Sequence, residues 1–479
     1  MNIFITGATG FLGRQTVASL YGRGHSITAW VRNENRARNL LGEGIRTVPT
    51  RITDQELNAE IENADVVINL SGEPIARIRW SNRIKQRLRD SRVSITNKLV
   101  DAINQAKSPP KLFISGSAIG FYGSNHTDEL TEDYTAGEGY LANLCEEWEN
   151  AALQVSKNST RVCILRIGII IGREGGFLQA MAQSFEYGIG TYISSNPYIS
   201  WIHMTDMVKI INFCIDNEHV SGPINCSSPK PISSKDFGIA MKQTTNSIFL
   251  FPIPKIILRL VLGEASVVLL QSQYTLPAKL MKCGFEFGYE NIPEALDEEL
   301  SYKYATISKY RPTPSETDEF MVPYKVDENG VYELNADISL KADTDTIFSF
   351  FSSALNLGLL TPSWIDFRIL EIPEEINTGS KIAYRIGLWF IGLNWITRIV
   401  VWKPKRLFVD LQEKGPYSLW WHEHILEERD DGSIVMKDRV IYRVPLGIIG
   451  RIVHKLFIRK TLLRVFNFRR KVILARFNQ

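Results

Sequence analysis

The 479-residue sequence predicts an α/β doubly wound parallel sheet followed by a smaller α+β domain. Three observations carry this. Short apolar runs ending in Gly or Ser alternate with helical patterns through the first part of the chain. A glycine-rich turn joins the first apolar run to the first helix. A stretch rich in Pro and polar residues then gives way to alternating apolar and polar residues with turn punctuation.

Taken in order, "MNIFITGATG" is an apolar strand running into a turn, "GFLGRQTVASLYGRG" is a helix and "HSITAWV" a second strand. "ADVVINLSG", "PKLFISGSA" and "TRVCILRIGIIIG" are further strands, and "SNRIKQRLRDSRVSITNKLVDAINQA" is a helical pattern between them. Such alternation implies βαβ units. A smaller mixed region spans 225–305 and completes a first domain, 1–305. Residues 306–320, around "SKYRPTPSETDEF", read as a linker. The remainder, 321–479, reads as antiparallel strands closed by a basic amphipathic helix, which suggests an α+β domain.

The composition is that of an ordinary soluble globular protein. Its 5 cysteines are odd in number and carry no C-x-x-C pair, which argues against a disulfide framework and for a reducing, cytoplasmic setting. The longest apolar run, 249–270, is broken by Lys255, Arg259 and Glu264, so no membrane span is expected. Charge is uneven: after Asp438 there is no acid, against 11 Lys and Arg. A basic tail of this kind is either a solvated helix face or a contact with anionic lipid or phosphate. No recognised nucleic-acid module accompanies it, so nucleic acid is not an expected partner.

"TGATGFLG" places Gly7, Gly10 and Gly13 between the first strand and the first helix. Gly7 can make the tight turn, Gly10 leaves room for a phosphate near the backbone, and Gly13 lets helix pack on strand. The helix N-terminus then offers free N–H groups to a pyrophosphate. This is the signature of a Rossmann-like dinucleotide site. NAD sites favour a carboxylate at the end of the second strand; this chain has Trp30, Val31 and Arg32 there, which suits the 2′-phosphate of NADP.

These residues, with "VINLSGEPIA", "RIGIIIGREGGFL", "SWIHMTDMV" and "LPAKLMKCGFEF", resemble the atypical extended short-chain dehydrogenase/reductases of the NAD-dependent epimerase/dehydratase-like, cell-division-inhibitor-like group that carries DUF1731. The resemblance implies an NADP-binding oxidoreductase or epimerase. It implies that Gly7, Gly10, Phe11, Leu12 and Gly13 hold the pyrophosphate, that Val31 and Arg32 flank the adenosine ribose phosphate, and that Leu70 and Ser71 line the cofactor. Arg92 would stand where ordinary relatives have a catalytic asparagine and would also meet the cofactor. Ser115 or Ser117 would be the family serine, and Ile170 would lie near the nicotinamide. Arg87 departs from an acidic residue that some relatives carry.

None of the 17 tyrosines has a lysine four residues on, so the usual acid and base of such enzymes are missing. In "GYLANLCEEWE", Leu141 falls at the tyrosine slot and Cys145 at the lysine slot. Tyr140 could serve from the neighbouring position, although one residue turns a helix by about 100°. Tyr122, Glu73 or His203 could supply the proton instead, Cys145 could act as nucleophile, or the domain could bind NADPH without turnover as a sensor.

Residues 321–479 resemble the START-like helix-grip superfamily of polyketide cyclases and lipid-transfer proteins, through "DTIFSFFSSALNLGLLTPSW", the curved antiparallel strands and the long last helix. The resemblance implies an apolar cavity between sheet and helix that holds a small apolar molecule or lipid. Trp364, Trp389, Trp395, Trp402, Trp420 and Trp421 could line it or simply form the core. His422 and His424 share a strand face, but two histidines without a third ligand nearby are a weak metal signal, so no metal is expected. The basic last helix could touch an anionic membrane peripherally.

Overall fold

A computed structural model describes residues 1–75, 79–124, 128–156, 159–312, 316–321, 324, 326, 330–362, 364–388 and 391–477. It divides into two compact units, Met1–Glu34 with Ile45–Ser301, and Asn35–Gly44 with Tyr302–Gln479.

The first unit is built on a seven-stranded sheet. Its strands β1 (Asn2–Thr6), β2 (Ser26–Val31), β3 (Arg46–Pro49), β4 (Val66–Asn69) and β5 (Leu112–Ala118) are joined by strands Arg161–Ile167 and Gly222–Cys226. The spatial order is 222–226, 161–167, β5, β4, β1, β2, β3, and every pairing is parallel. Strands buried on both faces must be apolar almost throughout. Ile3, Phe4 and Ile5 and the fully apolar Val66–Ile68 accordingly have almost no exposure. The doubly wound expectation therefore holds for this unit. Because the strands are parallel, their C-terminal ends share one edge, and Gly7, Leu70 and Ser117 all follow or close strands there.

The second unit is an eight-stranded antiparallel sheet in the order 305–309, 331–340, 434–443, 419–428, 407–414, 391–403, 381–388, 366–371. Side chains alternate between its faces. One face carries Phe408, Trp420, Leu426, Met436 and Tyr442, in two apolar clusters shared with the last helix, Arg459–Phe477, through Leu462, Phe466, Phe468, Val472 and Ile473. The other face carries Leu407, Val409, Leu411, Trp421 and Ile441.

The linker expected over 306–320 needs correction. Ala305–Lys309 is an edge strand of the second sheet, paired antiparallel with Val331–Leu340. Ala305 and Ile307 alternate inward, and Tyr310, Thr317 and Met321 are buried beyond them. Thr317 donates its hydroxyl to Glu423, so this stretch covers the outer face of the sheet. Its prolines read as a connector, whereas the apolar residues among them supply a lid for the Trp421 side.

Among the described residues no helix is long and apolar enough to cross a membrane.

Candidate functional site

The glycine turn follows directly from the end of β1. Gly7 has φ +70°, a conformation that L side chains rarely adopt, and a Cβ there would lie 2.4 Å from the Leu70 carbonyl oxygen. The Gly10 amide donates to the Gly7 carbonyl at 2.9 Å. A Cβ on Gly13 would lie 2.2 Å from that same carbonyl. Gly7 and Gly13 are therefore required by close backbone approach, while a Cβ on Gly10 would meet the Gly7 carbonyl oxygen only at 3.1 Å. Helix α1, Phe11–Gly22, starts at Gly10 with no side-chain cap and no acid in its first turn, leaving its N-terminal N–H groups and partial positive charge for an anion.

Around this turn the structure brings together most of the expected cofactor residues. Asn69 accepts from Thr6 Oγ1 at 2.6 Å and from the Ser71 amide at 3.3 Å, which pins Leu70 and Ser71 beside Gly7. Phe11 packs against 172–176, where a Cβ on Gly175 would lie 2.4 Å from its ring. Leu12 is a core residue, so it can meet a phosphate only through its backbone. Val31 is buried and Arg32, just past β2, is exposed. Ile170 is half-buried and registers with Ile202 in the short parallel pair 169–171 and 201–203.

Arg92 lies in a π-helical turn, Asp90–Ser94, of a kind frequent at functional sites. Its Nη2 donates to the Glu73 carbonyl at 2.9 Å and its Nη1 to the Leu88 carbonyl at 3.0 Å. A Cβ on Gly72 would lie 3.2 Å from Nη2, so the guanidinium sits at the end of the Leu70–Ser71 segment. Arg87, the departure from some relatives, forms an ion pair with Glu73.

The expected catalytic side chains do not converge on a free acid. Ser117 is buried and donates to Glu149 Oε1 at 2.6 Å. Glu149 pairs with Arg166 at 2.9 Å, and Arg166 donates to Tyr122 Oη, also at 2.9 Å. Tyr122 in turn donates to Asn225 Oδ1 at 2.6 Å, and burial pushes its pKa up to about 12. Ser115 is fully buried, with its hydroxyl directed at the Gly116 carbonyl. Tyr140 opens helix Tyr140–Ala152 and donates to the Lys85 carbonyl at 3.0 Å. Cys145 needs correction as a reactive group: burial pushes its thiol up to about 12, so it stays neutral. His203 is likewise a satisfied core residue. Its Nδ1 accepts from the Thr205 amide at 3.3 Å, and its Nε2 lies 3.0 Å from Glu299.

The second unit holds a cluster that the sequence pattern missed. His422 and His424 lie on the helix-covered face of strand Leu419–Glu428. In register, Asp410 stands opposite His422 and Asp438 opposite His424, one from each neighbouring strand. Arg469 of the last helix donates to Asp438 Oδ1 at 3.0 Å. Burial works against ionising Asp410 and Asp438, yet the facing histidines, with Arg469 at Asp438, hold both well below the ordinary carboxylate range. Burial also opposes a charge on His422, but the two aspartates raise its pKa; burial and the neighbouring His422 lower that of His424.

Asp410, His424 and Arg469 form the polar wall of a cavity of about 60 Å³, whose other walls include Phe351, Ile382, Tyr384, Ile399, Trp402 and Phe408. A drug-sized ligand needs about 300–1,000 Å³. This cavity therefore fits a very small molecule or a few waters, and a lipid would have to widen it. Of the tryptophans, Trp402 lines the cavity, while Trp395 and Trp420 pack edge to face at 5.3 Å in the neighbouring cluster. Trp421 is on the opposite face, Trp364 stacks with the Arg464 guanidinium at 4.4 Å, and Trp389 lies outside the described residues.

Comparison with known proteins locates the first unit. The NAD dependent epimerase/dehydratase family matches residues 3–226, and DUF1731, a domain of unknown function, matches 253–299. The chloroplastic epimerase family protein SDR39U1 homolog of Arabidopsis thaliana is 33% identical over 301 residues, covering 62% of this chain and 86% of that protein. The epimerase family protein YfhF of Bacillus subtilis is 31% identical over 300 residues, covering 62% of this chain and 97% of that protein. The human epimerase family protein SDR39U1, solved with NADPH, superposes with a TM-score of 0.57 at 28% identity, covering 63% of this chain and 99% of that one. With the glycine turn, the parallel sheet and relatives matched over nearly their whole length, the chain belongs to the NAD dependent epimerase/dehydratase family.

Proposed function

We propose that the first unit is an NADP(H)-dependent oxidoreductase or epimerase, and that the second unit holds its small apolar substrate. The turn at Gly7, Gly10 and Gly13 carries this reading, because its close backbone contacts leave an uncapped helix N-terminus open to a pyrophosphate. Arg32, exposed beyond β2, favours the 2′-phosphate, and the human relative was solved with NADPH. The protein groups bind and orient: α1 takes the pyrophosphate and Arg32 the ribose phosphate. Arg92 stands at the end of the Leu70–Ser71 segment as a fixed cation for an oxygen that gains negative charge in the transition state. NADP supplies the hydride acceptor, NADPH the donor.

Fluorescence titration with NADPH and NADH tests the cofactor assignment. NADPH is expected to bind at least tenfold more tightly, and Arg32→Ala to remove that preference. No binding of either nucleotide would sink the reading. Identification by mass spectrometry of apolar molecules that co-purify with the full chain supplies substrates for assay.

A second reading, a non-catalytic NADP sensor coupled to a carrier, draws support from the commitment of the Ser117 and Tyr140 hydroxyls to protein acceptors. It expects NADPH binding with no loss of nicotinamide absorbance on adding the co-purified molecule.

Peripheral contact with an anionic membrane is part of the same proposal. Leu446, Ile448, Ile449, Ile452 and Leu456 are exposed, with Leu446 at 76% and Ile448 at 68%. Arg451 and Lys455 lie among them, a combination that suits the headgroup boundary. This apolar and basic stretch precedes the last helix, several of whose cations are occupied within the protein: Arg469 by Asp438, Arg464 by Trp364 and Arg470 by Tyr304.

A further inference from the structure

The charged island on the inner face of the second sheet has no evident structural purpose. Two carboxylates, two imidazoles and a guanidinium lie between two apolar clusters beneath a helix. Removing so many polar groups from water is costly, and well-packed apolar residues of similar volume serve stability as well or better. The arrangement of the ring nitrogens suggests what the island is for.

Both histidines present one nitrogen to Asp410 and the other to Asp438. His422 Nδ1 and His424 Nε2 lie 3.4 and 3.1 Å from the same oxygen, Asp410 Oδ2. His422 Nε2 and His424 Nδ1 lie 3.1 and 2.9 Å from the same oxygen on the other side, Asp438 Oδ1. Arg469 Nη2 contacts Asp438 Oδ1 at 3.0 Å and His424 Nδ1 at 3.2 Å. One carboxylate thus closes a triangle with two imidazoles, while the second orients the far edges of both rings.

We propose that Asp410, His422 and His424 form a binding site for a divalent first-row transition metal, with Asp438 and Arg469 as its supporting shell. The three ligand atoms lie within 4.8 Å of one another. A tetrahedral site with bonds of about 2.1 Å spaces its ligand atoms by about 3.4 Å, and both carboxylate–imidazole separations are at or near that spacing. Two histidines and one carboxylate is a donor set used by catalytic zinc and by non-haem iron, in both cases with a position left open. Here Asp410 and His424 face the cavity, so the open position is directed there. Metal-bound histidines typically donate their second N–H to a carboxylate, which fixes the ring orientation, and Asp438 Oδ1 lies within 3.1 Å of the far nitrogen of both rings. Arg469 neutralises Asp438, leaving Asp410 as the anionic ligand. The group that takes the open position is an oxygen donor, water or the polar head of a small molecule; the site does not depend on which.

The test uses the full-length chain, stripped with chelator and exchanged into chelator-free buffer. Titration with Co²⁺ is expected to give one equivalent of saturable visible absorption that Zn²⁺ displaces. Asp410→Asn and Asp438→Asn are each expected to weaken Co²⁺ binding tenfold or more. His219→Gln, a change at an exposed histidine elsewhere, is expected to leave it unchanged. X-ray absorption of the wild-type cobalt complex reads the ligands directly should a variant fail to fold: two imidazoles with oxygen and no sulfur is the expected shell. No stoichiometric binding, a sulfur-containing shell from the cysteines, fewer than two imidazoles, or affinity unaltered in a folded Asp410→Asn variant would each overturn the proposal.

Discussion

Ser117 Oγ donates to Glu149 Oε1 at 2.6 Å, and both residues are buried. The serine expected to serve catalysis is thereby tied into a buried chain that runs through Arg166 to Tyr122 and Asn225. The strand end carrying Ser117 and the helix carrying Glu149 are held to each other by charge-assisted bonds. Removing one partner of a buried pair leaves the other charge uncompensated. Glu149→Gln is therefore expected to cost about 3–5 kcal/mol of unfolding free energy in denaturant titration. Ser117→Ala should cost about 1–3 kcal/mol and leave NADPH affinity unchanged. A fall in turnover beyond the loss of folded protein would instead make the hydroxyl part of the chemistry.

The glycine turn predicts a sharp positional contrast. Gly13→Ala drives a Cβ to 2.2 Å from the Gly7 carbonyl oxygen and is expected to abolish nucleotide binding. Gly24 also has positive φ, +79°, but nothing lies within 4 Å of its added Cβ. Gly24→Ala should therefore cost only the backbone strain, about 1–2 kcal/mol, with NADPH titration unaffected.

Cys145 gives a pH prediction. Burial raises its pKa in the folded state from about 9 to about 12, so between these values the unfolded chain releases a proton that the folded chain keeps. The folded state then binds more protons, and stability falls as pH rises above 9. The slope from this one thiol approaches about 1.4 kcal/mol per pH unit. Cys145→Ala should remove that share of the alkaline loss when unfolding is followed from pH 8 to pH 11, roughly the range spanning the thiol's ordinary value. In the native protein the thiol should also resist iodoacetamide, while the partly exposed Cys283 reacts.

The exposed row before the last helix makes the membrane contact testable. Vesicle flotation should depend on anionic lipid and weaken with salt, since each basic residue near such a surface adds about 1 kcal/mol. Ile449→Asp with Leu456→Asp should abolish flotation while leaving the unfolding midpoint within a few degrees, because both side chains are solvent-exposed. Flotation unchanged in the double variant would remove the proposal.

What the sequence determined by itself is what contiguous residues can specify. Strand, tight turn and helix follow one another within "MNIFITGATGFLG", and Gly7 and Gly13 there answer local steric demands, so the dinucleotide-type turn and the parallel sheet were legible. The neutral state of Cys145 and the acceptors of Ser117 and Tyr140 were not, because they depend on what packs around each group. The acid–histidine cluster shows the limit most clearly. His422 and His424 were visible as a pair on one strand face, but Asp438 stands 16 residues from His422, and Asp410 and Arg469 stand 14 and 45 residues from His424. Strand register and the seating of the last helix bring these groups together, and both are set by burial of apolar faces across the whole sheet rather than by any local pattern.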